Sequence, residues 1–234
     1  MNMNQCSYVI QYWNHDSLQY LIFECTNEKL PESEFCIFHD PHFLDNENTC
    51  SLVKKEFDAK IAEYLSNSTK SPLLCIGYRL ADVSIQGKEF QNSVYFDGSY
   101  IKGSVSINSK FQERVSFAVV EFFGKGDVQF ANAKFSGGIS FLTATFSNEG
   151  GISFSDTLFS GKGGVYFNSS KFSNKGNENM VSFAKAKFSN KGELIFHNTQ
   201  FSNKGYVLFG DTTFSSEKFV SFGGTRFSGT TFFQ

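Results

Sequence analysis

A chain of 234 residues that is 17% aromatic, with 30 Phe against three Pro and one Trp, can bury a substantial core. Its mean hydropathy is nevertheless negative, and no stretch approaches the ~20 apolar residues that cross a bilayer, so composition excludes a membrane-spanning protein and points to a soluble one. The net charge of −2 hides a division: residues 1–74 carry five Lys/Arg against eleven Asp/Glu, and residues 75–234 sixteen against twelve, an acidic first part and a basic second.

The first part, residues 1–72, reads as a cap segment. Its start, Met1-Asn2-Met3-Asn4-Gln5-Cys6, lacks the basic residues and apolar run of a secretory signal, which places the chain in the cytoplasm. Four of the five Cys fall in the first fifty residues, a distribution that fits a local metal site in a reducing compartment better than a disulfide framework. Cys6, Cys25, Cys36 and His39 offer three thiolates and an imidazole, the composition of a closed structural zinc site. Cys36-Ile37-Phe38-His39 has the two-residue spacing that lets both side chains reach one ion, although the gaps before it are looser than in standard fingers. Cys50 and His42 are possible substitutes, and the alternative is a set of small buried Cys with a surface His. An acidic segment with few aliphatic residues needs such a staple.

A helix is expected from about residue 49 to residue 65, with Val53, Phe57, Ile61 and Tyr64 or Leu65 along one face. Its expected role is to cover the unpaired backbone at the N-terminal end of the second part. Leu73 to Ile85 is expected to be an irregular first turn, with Cys75 in its core.

From residue 117 onward Phe recurs in pairs five apart: Phe117 and Phe122, Phe130 and Phe135, Phe141 and Phe146, and so on through Phe222 and Phe227, with Phe232 five further on. Two residues before the first Phe of a pair the side chain is bulky, as in Val115, Ile139, Val165 and Leu194. Before the second it is small, as in Ala133, Ala144, Thr157, Ser170 and Thr199, with Val120 the exception. Residues i−2 and i share a face of an extended strand, so each unit presents one small or β-branched side chain and one Phe inward, while the intervening Ser, Asn, Lys and Asp point out. These spacings do not fit a helix, and the extended pieces are too short for a sandwich. A coil that bends every five residues and stacks on itself remains.

Units such as Ala133-Lys134-Phe135-Ser136-Gly137 and Thr225-Arg226-Phe227-Ser228-Gly229 resemble pentapeptide repeats. The resemblance covers about residues 90–234 and implies an all-β chain built as a right-handed quadrilateral β-helix, a β-solenoid with four units per turn, occupying residues 73–234 after the cap. Steps of eight, as from Phe146 to Phe154 and Phe188 to Phe196, push loops such as Ser189-Asn190-Lys191-Gly192 out of the square. Two 13-residue halves give turns of 26. Corners one turn apart then align Glu149, Lys175 and Lys204 on one ridge and Lys162, Lys191 and Lys218 on the opposite one. Such ridges serve either as soluble turns or as contacts to an anionic partner.

Chemistry is sparse. The sequence contains no Gly-rich phosphate loop ahead of a Lys-Ser/Thr pair and no serine elbow, and the solenoid carboxylates are scattered; His197 stands alone and points outward. The reading is therefore of no catalytic and no cofactor-binding residues, of Zn2+ as a structural ion, and of a protein-interaction scaffold without a small-molecule substrate or a membrane. Two alternatives accompany it. Some pentapeptide repeat proteins mimic DNA and target topoisomerases, but the excess of four positive charges over residues 75–234 has the wrong sign for mimicry. Nucleic-acid binding through the Cys/His cap and the Lys ridges is opposed by the acidic cap. The partner class expected is protein, together with a homodimer through the C-terminal end of the solenoid, where Thr230-Thr231-Phe232-Phe233-Gln234 shows no polar cap.

Overall fold

Alternation of a bulky aliphatic, a Phe, a small residue and a second Phe along the inside of a coil dictates a parallel β-solenoid, and the computed structural model has that architecture. It describes residues 4–14, 19–67, 70–176 and 180–233. An antiparallel hairpin of β1 (Val9–Asn14) and β2 (Gln19–Glu24) comes first, then helix α1 (Glu47–Ser66). The solenoid opens with β3 (Leu73–Leu74), β4 (Arg79–Phe90), β5 (Val94–Tyr95) and β6 (Tyr100–Phe111), followed by strands of two or three residues to Phe232. One stack of seven parallel strands runs from Leu73 through Val94, Val115, Ile139, Val165 and Leu194 to Val220, which marks about seven turns. No helix among the described residues is long and apolar enough to cross a membrane.

Four columns of stacked rings fill the interior. Phe96, Phe117, Phe141, Phe167, Phe196 and Phe222 stack with centroids 4.7–5.3 Å apart. Phe122, Phe146, Phe172, Phe201 and Phe227 form a second column. Phe130, Phe154, Phe183, Phe209 and Phe233 form a third, and Phe90, Phe111, Phe135, Phe159, Phe188 and Phe214 a fourth. The first and third columns meet edge to face across the interior, as Phe141 and Phe154 do at 5.4 Å and 81°, an arrangement favoured by the ring quadrupole. Strand repeat sets the ring spacing, because adjacent parallel strands lie about 4.8 Å apart.

The small inward positions have a second function. Buried hydroxyls there donate to the carbonyl of a Phe one turn earlier: Thr157 to Phe130 (2.8 Å), Ser170 to Phe141 (2.6 Å) and Thr199 to Phe167 (2.6 Å). Two residues after each Phe of the first and third columns from Phe117 to Phe222 the backbone turns left-handed, at Val119, Asn132, Thr143, Asp156, Ser169, Lys185, Asn198, Asp211 and Gly224. This turn is what bends the coil at those positions.

Three sequence expectations need correction. The turns are not uniformly 26 residues: Leu73 pairs with Val94 and Val94 with Val115, 21 residues each, while the irregularity expected of the first turn is present as register shifts between Ala81 and Val83 and between Gln86 and Glu89 of that turn. Leu80, Val83, Ile85, Ile101, Val105 and Ile107 occupy its inward positions and those of the next turn, aliphatic stand-ins that hid the repeat. Asn148, Asn174, Asn190 and Asn203 do not point out but are buried; Nδ2 of Asn148 donates to Gly126 and Gly150 carbonyls, and that of Asn190 to Gly163 and Glu193. A protruding corner cannot pair all its carbonyls with the next turn, and the inward amide supplies the missing donor. Finally Phe233, not Phe232, joins the third column, while Phe232 pairs with outward Leu208, because the loop after Phe227 is shorter than the equivalent loop after Phe201.

Helix α1 starts two residues before the expected boundary, since Asn46 Oδ1 caps the Thr49 N–H at 3.0 Å. Val53, Phe57 and Ile61 are buried as their spacing requires, and Phe57 and Tyr64 close over Phe96 and Phe90 at the solenoid end. The hairpin had no counterpart in the sequence reading. Its inner side, Ile10, Tyr12, Leu21 and Phe23, packs against Leu74, Ile76 and Tyr95 on the outside of the first two turns.

Candidate metal centre

The two hairpin ends and the loop before α1 converge on one point. Cys6 lies just before β1 and Cys25 just after β2; their N–H groups donate to Asn27 and Tyr8 carbonyls at 3.0 Å, which brings both ends of the hairpin side by side. Cys36 and His39 share one tight turn closed by His39 N–H to Cys36 O at 3.0 Å. All four side chains are buried, and their ligand atoms lie within 4.8 Å of one another.

The spacing carries chemical information. Cys25 Sγ and Cys36 Sγ are 3.7 Å apart, Cys6 Sγ and His39 Nδ1 3.6 Å, and Cys36 Sγ and Nδ1 3.3 Å. A tetrahedron around zinc with Zn–S of about 2.3 Å and Zn–N of about 2.0–2.1 Å has S–S edges of about 3.8 Å and S–N edges of about 3.5 Å. These three edges match those of a four-coordinate ion, and no other pair of the four donor atoms is more than 4.8 Å apart. On the far side of the ring, Nε2 lies 2.9 Å from Ile76 O. That carbonyl can only accept, so Nε2 carries the proton and Nδ1 is left as the ligand. The Tyr8 ring lies flat on the imidazole at 3.8 Å.

Electrostatics point the same way. Cys36 Sγ takes a hydrogen bond from the Cys25 thiol, which lowers its pKa, and Asn27 Nδ2 approaches it at 3.7 Å. The Cys25 thiol is held up by the hydrogen bond it gives to Cys36 and by burial, and burial raises Cys6. Of the three thiols only Cys36 is shifted toward the thiolate, and burying all three as thiolates calls for a cation beside them, because uncompensated buried charge is costly. The other expected donors are elsewhere: His42 is exposed beside Asp45, and Cys50 sits half-buried on α1 with Sγ 3.7 Å from Leu44 O.

Away from the cap, Lys175 lies over Glu149 on one ridge, as Lys175 N–H to Asn148 O (3.1 Å) requires, and Ser202 N–H to Phe172 O (2.7 Å) starts the loop carrying Lys204 in register with the loop carrying Lys175. On the opposite ridge Lys191 follows Lys162, but Glu217 N–H to Asn190 O places Glu217, not Lys218, in the next position. Lys218 instead pairs with Glu193 at 2.8 Å, so that ridge is mixed in charge. His197 is exposed. A groove of about 530 Å³ lies between β2, α1 and β3, with Glu24, Asn27, Lys60 and Tyr64 among its polar residues. Comparison with protein-family models, with curated proteins and with solved structures finds no match to this chain. The regular Phe at five-residue spacing and the solenoid it builds are consistent with a pentapeptide-repeat-like fold.

Proposed function

We propose that the chain is a Phe-rich pentapeptide-repeat protein acting as a non-enzymatic scaffold, with the sides of its solenoid engaging a protein partner and its cap fastened by a structural zinc ion on Cys6, Cys25, Cys36 and His39. The observation that carries the scaffold reading is the filled interior. Rings stacked in four columns leave the long axis without a substrate cavity and give a stiff rod of repeating surface. The solenoid carboxylates support the same reading. Asp97 is buried with Oδ1 accepting from Ala118 N–H at 3.1 Å, an acceptor tied to the fold and not aimed at a cleft. Three thiolates and one imidazole complete a tetrahedron and leave no open coordination position, the signature of structural zinc.

Two measurements test the proposal. Elemental analysis of the full chain purified under reducing conditions is expected to give one zinc per chain; none would overturn the metal reading. Cross-linking mass spectrometry on complexes captured from source cells is expected to place a protein partner on solenoid residues. Cross-links confined to the cap, or capture of nucleic acid alone, would overturn the scaffold reading.

A further inference from the structure

We propose that the metal centre is a clasp for a strap: the ion holds the β1–β2 hairpin closed over an apolar strip on the outside of the first two solenoid turns, and its loss frees the hairpin while the solenoid stays folded. This inference rests on the zinc reading above.

The four ligands divide into two pairs with different attachments. Cys36 and His39 belong to the solenoid side: His39 Nε2 donates to Ile76 O at 2.9 Å, Arg79 N–H donates to Phe38 O at 2.7 Å, and the Phe38 ring stacks on Tyr78 at 4.6 Å. Cys6 and Cys25 belong to the hairpin and bracket it. An ion bound by all four joins an anchored half to a half that has little else to hold it.

The hairpin's own attachment is thin. Among the described residues its strands pair only with each other and form a two-stranded sheet separate from the solenoid sheets. An isolated two-stranded hairpin is marginal in water. Among the described residues, the polar links from residues 5–28 to the rest of the chain include Ser7 N–H to Glu34 O at 2.8 Å, Cys36 N–H to Cys6 Sγ at 3.2 Å and Asn27 Nδ2 toward Tyr78 Oη at 3.4 Å and Cys36 Sγ at 3.7 Å. These cluster at or beside the centre. Over β1 and β2 themselves the contact is apolar: Tyr12 edge-on to Tyr95 at 6.1 Å, with Ile10, Leu21 and Phe23 around Leu74 and Ile76. The outer side of the same strands carries exposed Val9, Tyr20 and Ile22, so the hairpin gains little by closing beyond this strip. The solenoid, by contrast, is fastened turn to turn by backbone hydrogen bonds and ring columns that do not involve the hairpin.

Hydrogen exchange with mass spectrometry on the full chain, loaded with zinc and after removal of zinc by a chelator under reductant, tests the inference. Amides of residues 9–12 and 20–24 are expected to exchange at least ~10-fold faster without zinc, those of residues 139–208 to be unchanged, and added zinc to restore protection. Unchanged hairpin exchange after verified metal loss would overturn the strap while leaving the zinc reading intact. Acceleration through residues 139–208 would overturn it too, since the ion would then support the whole fold. A chain that carries no zinc as purified would end both.

Discussion

Replacing Phe183 by Ala removes a ring from the middle of the third column. Phe183 is fully buried, stacked on Phe154 and Phe209 at 5.0 Å each and edge-on to Phe167 and Phe196 at 5.6 Å. Phe-to-Ala changes in cores cost about 3–5 kcal/mol. The upper part of that range applies here, about 4–5 kcal/mol, because the backbone around the hole cannot collapse: Phe183 N–H is bonded to Leu208 O at 2.7 Å, and Phe154 N–H to Ser182 O at 2.7 Å. Two stacked pairs, each worth about 0.5–1.5 kcal/mol beyond area, are lost as well. Phe188→Ala, which empties a site between Phe159 and Phe214, is expected to cost nearly as much. Lys185→Ala changes a side chain at the surface and is expected to stay within about 0.5 kcal/mol. In urea denaturation, at a slope of about 3 kcal/mol/M, the Phe variants would lose about 1.5 M in midpoint. Equal shifts for all three variants would refute the inward register on which the solenoid rests.

Burial holds the Asp97 carboxyl up at about 6, against hydrogen bonds from Ser116 and Ala118 that lower it. The native state therefore binds the proton more tightly than the unfolded chain, and stability should fall as pH rises from about 4 to about 6, by up to about 3 kcal/mol, then level off. Asp97→Asn keeps an acceptor for Ala118 N–H, and should remove that slope and raise stability at pH 8; denaturation across pH showing the same slope in the variant would refute the assignment. Val119, a β-branched residue 62% exposed at φ +59°, sits in a conformation that costs a non-glycine about 1–2 kcal/mol. Val119→Gly should gain about 0.5–1 kcal/mol after glycine's larger unfolded-state entropy is counted, and a lower melting temperature would contradict this. Chelation of the zinc-loaded chain should lower the first thermal transition by several degrees, as loss of a ligand specific to the native state must; an unchanged scan would mean that the centre contributes no stability.

Much of the fold was legible because a solenoid writes its geometry into the sequence. Each inward side chain meets the same environment one turn later, so Phe at five-residue spacing, with Ala, Thr or Ser two places before nearly every second ring, specifies strand, bend and stack by local rules. The four candidate donors were legible for a similar reason, since Cys and His are scarce and chemically marked. Context hid the rest. The first turns kept the register with Leu80, Ile85, Ile101 and Ile107, which satisfy the same apolar demand without the same letter. Asn148, Asn174 and Asn190 looked like surface turn residues, because an Asn facing solvent and an Asn stitching a buried corner read alike. Only the stacking of turns shows which carbonyls lack a partner. The hairpin escaped because both of its faces carry apolar residues, Ile10, Tyr12, Leu21 and Phe23 inward and Val9, Tyr20 and Ile22 outward, which erases the alternation that marks a half-buried strand. Its position was decided by tertiary structure alone: Cys6 and Cys25 are 19 residues apart in the chain, and it is the strand pairing between them, with His39 tied to Ile76, that brings the four donors together.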